Sequence, residues 1–145
     1  MPRVLIVDDH AIIRRGVQGI LRGHPEWELC GEAENGQEAV RLAGELKPEV
    51  IIMDVSMPGM NGVEATRVIK KNLPEAKILL LTLHMSVDLV RSAFKAGARG
   101  YVLKSDAEQD LIRALLVVMG EGTYISPRID PDLVKTVLKE DLGAV

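Results

Sequence analysis

The sequence predicts an α/β fold in which helices cover both faces of an open parallel sheet. Short apolar runs alternate with amphipathic helical patterns along the chain. A run without polar alternation is typical of a strand that is buried on both faces, as in a parallel sheet. Strands that alternate with helices indicate right-handed crossover connections. Five such units are too few to close an eight-stranded barrel, so the predicted five-stranded sheet is doubly wound.

Each strand is predicted from its own run of residues. The second, Glu28–Ala33, is more polar than the others, so we expect it nearer an edge of the sheet. The other four are apolar throughout, and in chain order they are Val4–Val7, Val50–Met53, Ile78–Leu81 and Tyr101–Leu103.

Helices are predicted between the strands because apolar residues recur there every three or four positions. Asn35, Asn61 and Ser105 each stand three residues before a glutamate, a pattern typical of a capping box at a helix start. Ser86 is predicted to cap a further helix, and Gly97 stands where a helix C-terminal cap is expected. The apolar stripes are Ile13, Val17, Ile20 and Leu21; Val40, Ala43 and Leu46; Val87, Val90 and Phe94; and Leu111, Leu115 and Met119.

The composition agrees with one domain and excludes several classes of function. Of the 145 residues, 47% are hydrophobic and 27% charged, so one sizeable core is expected and disorder is excluded. The net charge of −3 argues against a basic face that would grip a nucleic-acid backbone. The longest apolar runs are too short to span a membrane, and Val4–Val7 is too short for a signal peptide. We therefore expect a soluble, cytoplasmic protein without membrane contact.

Polar and charged residues follow four of the five predicted strands. Asp8 and Asp9 follow the first strand, Asp54 the third, Thr82 the fourth and Lys104 the fifth. In open α/β sheets, ligands bind outside the carboxyl ends of the strands, where these side chains are expected to meet. Taken singly, each residue is equally typical of a turn, a helix cap, a strand or a solvated surface.

Three carboxylates at one edge of a sheet would repel one another unless a cation compensates for their charge. Lys104 supplies one positive charge, and Mg²⁺ best suits a few carboxylates together with water and phosphate oxygens. A carboxylate beside magnesium, a lysine and the hydroxyl of Thr82 is equipped to accept a phosphoryl group. The sequence has no G-x-x-x-x-G-K-[ST] loop, and no G-x-G-x-x-G follows the first strand. We therefore expect the phosphoryl group to come from another molecule.

Residues 3–120 resemble the receiver domains of bacterial two-component response regulators. The resemblance is carried by Val-Leu-Ile-Val-Asp8-Asp9, Met-Asp54-Val-Ser-Met-Pro58-Gly-Met-Asn-Gly62, Leu-Thr82 and Gly-Tyr101-Val-Leu-Lys104. Ala-Gly97-Ala-Arg-Gly-Tyr101 and Gly122-Thr-Tyr-Ile-Ser-Pro127 are similar to motifs of the NarL/FixJ (LuxR-type) subfamily, whose members usually carry a C-terminal helix-turn-helix domain. The resemblance implies a flavodoxin-like receiver fold with the strand order 2-1-3-4-5.

The resemblance also implies a role for each residue of the site. Asp54 is implied to be the phosphoacceptor that a sensor histidine kinase modifies, and Lys104 to pair with the aspartate or with the phosphoryl oxygens. Thr82 and Tyr101 are implied to form a coupled switch that remodels the surface of the fourth helix, fifth strand and fifth helix. The implied ligands of Mg²⁺ are Asp8, Asp9, Asp54 and the backbone carbonyl of Ser56.

The chain is expected to divide into a phosphoacceptor domain, residues 1–121, and a linker, residues 122–145. A short helix is predicted after Asp130, and the resemblance implies that it leads to a DNA-binding domain outside this sequence. Packing of this helix on its own domain remains an alternative. A phosphorylation-dependent homodimer is a further expectation, and any DNA contact would come through the further domain. The apolar stripe of this helix is Leu133, Val134, Val137 and Leu138.

Several positions carry expectations of their own. Ser105 stands where many receivers have a proline after a cis peptide bond, which leaves the conformation of the Lys104–Ser105 bond open. Leu83 stands where many receivers have a small residue, and it is expected to crowd the site. Arg14 is predicted to lie on a solvated helix face. The three histidines share no spacing, so a histidine metal site is not expected.

Other functions remain open beside the phosphorylation-controlled switch, which is not expected to be a turnover enzyme. The domain could stand alone and act through protein–protein contact instead of controlling transcription. An aspartyl-phosphate hydrolase like the haloacid dehalogenase superfamily is disfavoured, because those enzymes typically carry D-x-D after the first strand. A pure interaction module would not need the full set of five site residues.

Overall fold

The structure, a computed structural model, describes residues 2–129 together with 131, 132, 135, 136 and 139. Strands and helices alternate as predicted. The strands are β1 (Arg3–Val7), β2 (Glu28–Ala33), β3 (Val50–Met53), β4 (Lys77–Thr82), β5 (Gly100–Leu103) and β6 (Tyr124–Ile125). The helices are α1 (Ala11–Arg22), α2 (Gly36–Leu46), α3 (Gly62–Asn72), α4 (Val87–Ala96) and α5 (Ala107–Met119).

All strand pairs are parallel, and the sheet has the order β2-β1-β3-β4-β5-β6. The doubly wound fold and the order of the first five strands are therefore confirmed. The sheet also continues by one short strand, β6, which lies in the segment predicted to be a linker. Two residues are too few to show a strand pattern in a sequence, so this strand could only be found in the fold.

The core consists of two apolar clusters, one on each face of the sheet. Leu5 and Val7 of β1 belong to the cluster under α2, α3 and α4, whereas Val4 and Ile6 belong to the cluster under α1 and α5. Successive side chains of a strand point to opposite faces, so a strand covered on both faces must be apolar throughout. This is why the unbroken apolar runs of the sequence mark the central strands.

The helix caps confirm most of the sequence signals. Asn61 forms a complete capping box with Glu64, and the side chains of Asn35 and Ser86 each accept a hydrogen bond from a backbone N–H of the first turn. The capping box predicted at Ser105 is wrong. Residues 104–106 form a 3-10 turn before α5, so Ser105 lies inside that turn and does not cap the helix.

The C-terminal residues give a partial answer about the predicted sixth helix. Residues 131, 132, 135, 136 and 139 are helical, in agreement with a helix after Asp130. The apolar stripe predicted for this helix lies outside the described residues, so its packing stays a prediction. No helix in the described part of the chain combines the length and apolarity needed to cross a membrane.

Candidate functional site

Two aspartates lie side by side at the carboxyl edge of the sheet. Val7 of β1 pairs with Met53 of β3, so the residues that follow, Asp8 and Asp54, leave neighbouring strands together. The backbone N–H of Asp54 donates to the carbonyl of Val7 at 2.9 Å, which extends the ladder by one residue. Asp8 and Asp54 are only 3% and 4% exposed. The strand register thus forces two buried carboxylates into one place.

Lys104 lies between these two carboxylates. Its Nζ is 2.8 Å from Oδ2 of Asp8 and 3.1 Å from Oδ2 of Asp54. Burial raises the pKa of Asp54, and the charge of Asp8 adds to this effect while Lys104 opposes it. Burial disfavours the ammonium of Lys104, but hydrogen bonds and charges from Asp8 and Asp54 outweigh it and raise the pKa of Lys104. At neutral pH Lys104 is therefore the cation that offsets the paired aspartates.

Asp9 and His10 complete a group of oxygen and nitrogen donors beside the aspartates. Donor atoms of Asp8, Asp9, His10 and Asp54 all lie within 4.8 Å of one another. Nδ1 of His10 is 3.2 Å from Oδ1 of Asp8 and also 3.2 Å from Oδ1 of Asp9. Oδ1 of Asp9 is buried, and apart from this contact with the His10 ring it has no polar partner among the described residues. The predicted acidic cluster is present, and it includes a histidine that the sequence did not indicate.

The predicted switch residues are buried and meet at the backbone of His84. Thr82 and Tyr101 are both fully buried. The hydroxyl of Tyr101 donates to the His84 carbonyl at 2.7 Å, and Oγ1 of Thr82 accepts from the His84 N–H at 3.3 Å. Nε2 of His84 lies 2.8 Å from Oγ of Ser56, which follows Asp54 by two residues. His84 therefore connects Thr82 and Tyr101 to the Asp54 loop.

Three other expectations receive an answer at this edge. The Lys104–Ser105 peptide bond is trans, because no cis bond occurs in the described part of the chain. The expectation that Leu83 crowds the site is wrong. Leu83 is 73% exposed and lies mainly in solvent. Arg14 is not on a solvated face: it donates to the carbonyl of Asp8 at 2.5 Å and pairs with Glu32 at 3.0 Å. Spacing along α1 could not reveal this, because both partners lie on other elements.

The fold and this edge together define a class of proteins: doubly wound parallel α/β domains with an acidic group and a lysine at the carboxyl edge of the sheet. The protein-family model for the response regulator receiver domain matches residues 4–116. The chain therefore belongs to the response regulator receiver domain family.

Individual relatives agree with this family. The chain is 41% identical over 133 residues to the transcriptional regulatory protein DegU of Brevibacillus brevis, covering 92% of this chain and 56% of DegU. It is 44% identical over 115 residues to the transcriptional regulatory protein LiaR of Bacillus subtilis (strain 168), covering 79% of this chain and 54% of LiaR. The chain thus spans slightly more than half the length of these curated relatives.

Solved structures support the same family and subfamily. A LuxR-family two-component response regulator from Aurantimonas sp. SI85-9A1 superposes with a TM-score of 0.85 at 34% identity, covering 98% of this chain and 99% of that one. The RcsB response regulator of Salmonella typhimurium superposes with a TM-score of 0.84 at 28% identity, covering 93% of this chain and 70% of RcsB. The resemblance to the NarL/FixJ (LuxR-type) subfamily is confirmed.

Proposed function

We propose that this domain is the phosphorylation-controlled switch of a two-component system and that Asp54 is its phosphoacceptor. The observation that supports this most directly is the 3.1 Å contact between Oδ2 of Asp54 and Nζ of Lys104 at the carboxyl edge of the sheet. A nucleophilic carboxylate needs a neighbouring positive charge to receive a phosphate, and Lys104 supplies it. Asp8 also contacts Lys104, but its Oδ1 already accepts a hydrogen bond from the backbone N–H of His10 at 2.8 Å.

The proposed reaction transfers a phosphoryl group from a phosphohistidine of a sensor kinase to Asp54. An oxygen of the Asp54 carboxylate donates an electron pair to phosphorus and forms a P–O bond. The P–N bond to the imidazole breaks, and the imidazole keeps the electron pair and takes a proton. Lys104 offsets the negative charge on the phosphoryl oxygens, and the Thr82 hydroxyl can donate a hydrogen bond to one of them. The product is an acyl phosphate on the protein.

The residues beside Asp54 fit a magnesium ion. Mg²⁺ prefers oxygen donors, and the buried Oδ1 of Asp9 accepts no hydrogen bond among the described residues beyond its contact with the His10 ring, so a cation would satisfy it. Asp8, Asp9, Asp54 and the Ser56 backbone carbonyl would hold the ion, and His10 would keep its hydrogen bonds to Asp8. When bound, Mg²⁺ would neutralise charge on the phosphoryl oxygens.

The switch is proposed to act through His84. In this structure the Thr82 hydroxyl is bonded to the His84 N–H and Tyr101 to the His84 carbonyl. A Thr82 hydroxyl that turns toward a phosphoryl group on Asp54 must leave the His84 N–H. That loss frees the segment before α4, which begins at Val87, and changes the surface of α4, β5 and α5. A differential contact energy of a few kcal/mol suffices to shift such an equilibrium.

The output is proposed to be control of transcription in the cytoplasm. The relatives DegU and LiaR are named transcriptional regulatory proteins, and the matches cover 56% and 54% of their lengths. A structure of RcsB in complex with DNA has a TM-score of 0.79 to this chain, which covers 68% of that RcsB chain. We propose that residues 1–121 receive the phosphoryl group, that 122–145 lead toward a DNA-binding domain, and that phosphorylation promotes a homodimer.

The experiment is labelling with acetyl phosphate and Mg²⁺, followed by intact-protein mass spectrometry. The wild type should gain one phosphoryl group per chain, and the site should map to Asp54. Asp54→Asn should not be labelled. Asp88→Asn is the matched control, because Asp88 is an aspartate whose side chain is 92% exposed on α4. Equal labelling of Asp54→Asn and the wild type would refute the proposal.

The same preparation distinguishes the other candidate functions. Repeated turnover of a small phosphate ester would favour an aspartyl-phosphate hydrolase over a stoichiometric switch. Partner binding that is unaffected by labelling would favour an interaction module. We expect neither, because the proposed acceptor Asp54 follows β3 and no D-x-D pair follows β1, and because a pure interaction module would not need the full set of site residues.

A further inference from the structure

The segment after α5 covers the outer edge of the sheet next to the site, and we call residues 124–129 the strap. The N–H of Tyr124 donates to the carbonyl of Arg99 at 2.9 Å, and the N–H of Ser126 donates to the carbonyl of Tyr101 at 2.9 Å. The strap thus adds β6 to β5, the strand that ends at Lys104. Its position makes it part of the sheet and not a free connector.

Ser126 bonds the strand immediately before Lys104. Its Oγ accepts a hydrogen bond from the N–H of Leu103 at 2.8 Å, and Ser126 is itself 1% exposed. The Leu103 N–H lies at the outer edge of β5, just beyond the last residue pair between β5 and β6. A buried N–H without an acceptor would be costly, so the Ser126 hydroxyl completes the ladder where β6 ends.

Arg128 bonds the turn immediately after Lys104. Its guanidinium lies 3.1 Å from Oδ1 of Asp106 and 3.3 Å from Oγ of Ser105. Asp106 is buried, and its other oxygen has no hydrogen-bond partner among the described residues. A charge-assisted hydrogen bond between this half-exposed arginine and a buried carboxylate links the strap to the turn. The strap therefore contacts the chain on both sides of Lys104, at the Leu103 N–H before it and at the Ser105 and Asp106 side chains after it.

Ile129 anchors the strap beyond Arg128. Its side chain is 2% exposed and belongs to the same core cluster as Tyr101 and Leu103. Its N–H donates to the carbonyl of Ser126 at 3.1 Å, which closes a turn over Pro127. The strap thus pairs with the sheet at Tyr124 and packs into the core at Ile129. Ser126 and Arg128 lie between these two anchored residues.

We propose that Ser126 and Arg128 are positioning residues for Lys104. Ser126 bonds the backbone before Lys104 and Arg128 bonds the side chains of the turn after it, so that the Lys104 ammonium stays on Asp8 and Asp54 at 2.8 and 3.1 Å. Coupling between two sites is reciprocal, so a phosphoryl group that draws Lys104 toward Asp54 also changes the stability of the strap. The chain passes through the strap toward residues 131–139, so the site is linked to the segment that follows. This inference rests on the proposed role of Asp54.

The first test follows Lys104 directly. In protein labelled with ¹⁵N-lysine, the Nζ resonance of Lys104 should shift in Arg128→Ala and in Ser126→Ala, while amides of the α2–α4 face keep their shifts. Hydrogen exchange of the Leu103 amide should become about tenfold faster in Ser126→Ala, the scale of one lost hydrogen bond. Arg67→Ala removes an exposed arginine away from the strap and is the matched control.

The second test measures the acetyl phosphate labelling rate of Asp54 in the same variants. We expect about a tenfold reduction in Arg128→Ala and in Ser126→Ala, partial recovery in Arg128→Lys, and no change in Arg67→Ala. Arg128 is 59% exposed at its side chain, so Arg128→Ala is expected to fold even if Ser126→Ala does not. Beryllofluoride added to the wild type should change exchange at the Ser126 amide.

The outcomes separate this inference from the proposed function. An unchanged Lys104 resonance and labelling rate in Arg128→Ala would overturn the positioning role, even with Asp54 labelled normally. Wild-type protein that is not labelled at Asp54 would overturn the proposed function, whereas the Lys104 resonance would still report on the strap. Hydrogen exchange that becomes equally faster at all amides of Arg128→Ala and Ser126→Ala would show that the strap acts only on global stability. This result would also overturn the inference.

Discussion

Nζ of Lys104 lies 3.1 Å from Oδ2 of Asp54, and both side chains are nearly excluded from solvent. The pair joins strands that are not neighbours, because β4 lies between β3 and β5. Only a long side chain can cross this distance, and lysine provides both the length and the charge. The stability and the chemistry of the site therefore depend on the same contact, and the predictions below separate the two.

Removal of the lysine charge should be strongly destabilising. Lys104→Met leaves Asp8 and Asp54 buried beside each other without their cation, and we expect a loss of about 3–5 kcal/mol in the free energy of unfolding. Urea denaturation at pH 7 measures it. Lys71→Met, on the exposed face of α3, is the control and should be nearly neutral. If Lys104→Met lost no more free energy of unfolding than Lys71→Met, Lys104 would not compensate the charge of the aspartates.

Removal of the Asp54 charge should be stabilising at neutral pH. Burial raises the pKa of Asp54 in the folded state, so the folded protein holds this proton more tightly than the unfolded chain does. The contribution of Asp54 to stability is therefore full below the unfolded pKa and is lost as pH rises through the folded pKa. The free energy of unfolding of Asp54→Asn should exceed that of the wild type at pH 7 by on the order of 1 kcal/mol.

The pH dependence provides the check on this assignment. Thermal unfolding of both proteins between pH 3.5 and pH 7 should show the advantage of Asp54→Asn growing with pH from about the ordinary pKa of an aspartate upward. An advantage that grows as pH falls would indicate a lowered pKa and would contradict the assignment.

Magnesium should stabilise the folded protein. An ion that binds only the folded state raises the free energy of unfolding by RT ln(1 + [L]/Kd). This is about 1.4 kcal/mol when the ion concentration is about ten times the Kd. Asp9→Asn should lose most of this increment, because Asp9 offers a buried carboxylate oxygen that accepts no hydrogen bond among the described residues beyond its contact with the His10 ring. Thermal unfolding in MgCl₂ and in NaCl of equal ionic strength measures it. The same increment in Asp9→Asn and the wild type would place the ion elsewhere.

Gly62 should be intolerant of a side chain because of the Asp54 loop. A Cβ at Gly62 would lie 2.1 Å from the carbonyl oxygen of Asp54 and 2.9 Å from Cα of Val55. Gly62→Ala must therefore shift the backbone that carries Asp54, at a cost of about 1–3 kcal/mol, and it should slow labelling by acetyl phosphate. Gly16→Ala in α1 meets no atom within 4 Å and should stabilise the helix by about 1 kcal/mol.

The strap should contribute to the core. Ile129→Ala removes a buried side chain, and we expect a loss of about 2–5 kcal/mol in urea denaturation. Ile12→Ala is the matched control, because Ile12 is 74% exposed on α1 and its removal should change stability by less than about 0.5 kcal/mol. Equal effects of the two substitutions would show that the strap does not pack as part of the domain.

The sequence alone determined the central sheet and the residues at its carboxyl edge. Strands that are covered on both faces must be apolar throughout, so Val50–Met53 could be recognised as a strand without any structure. Parallel strands end at one edge, so Asp8, Asp54 and Lys104 could be expected together from their positions after three strands. The family motifs then gave these residues their proposed roles.

The tertiary structure decided which side chains complete the site. Arg14 bonds the carbonyl of Asp8, His10 joins the acidic group, and Ser126 reaches the end of β5, yet none of them carries a periodic signal. Their partners lie on other elements of the chain. A sequence pattern records which face of an element is buried, but a single hydrogen bond between distant segments depends on strand register and helix placement. Those quantities exist only in the folded chain.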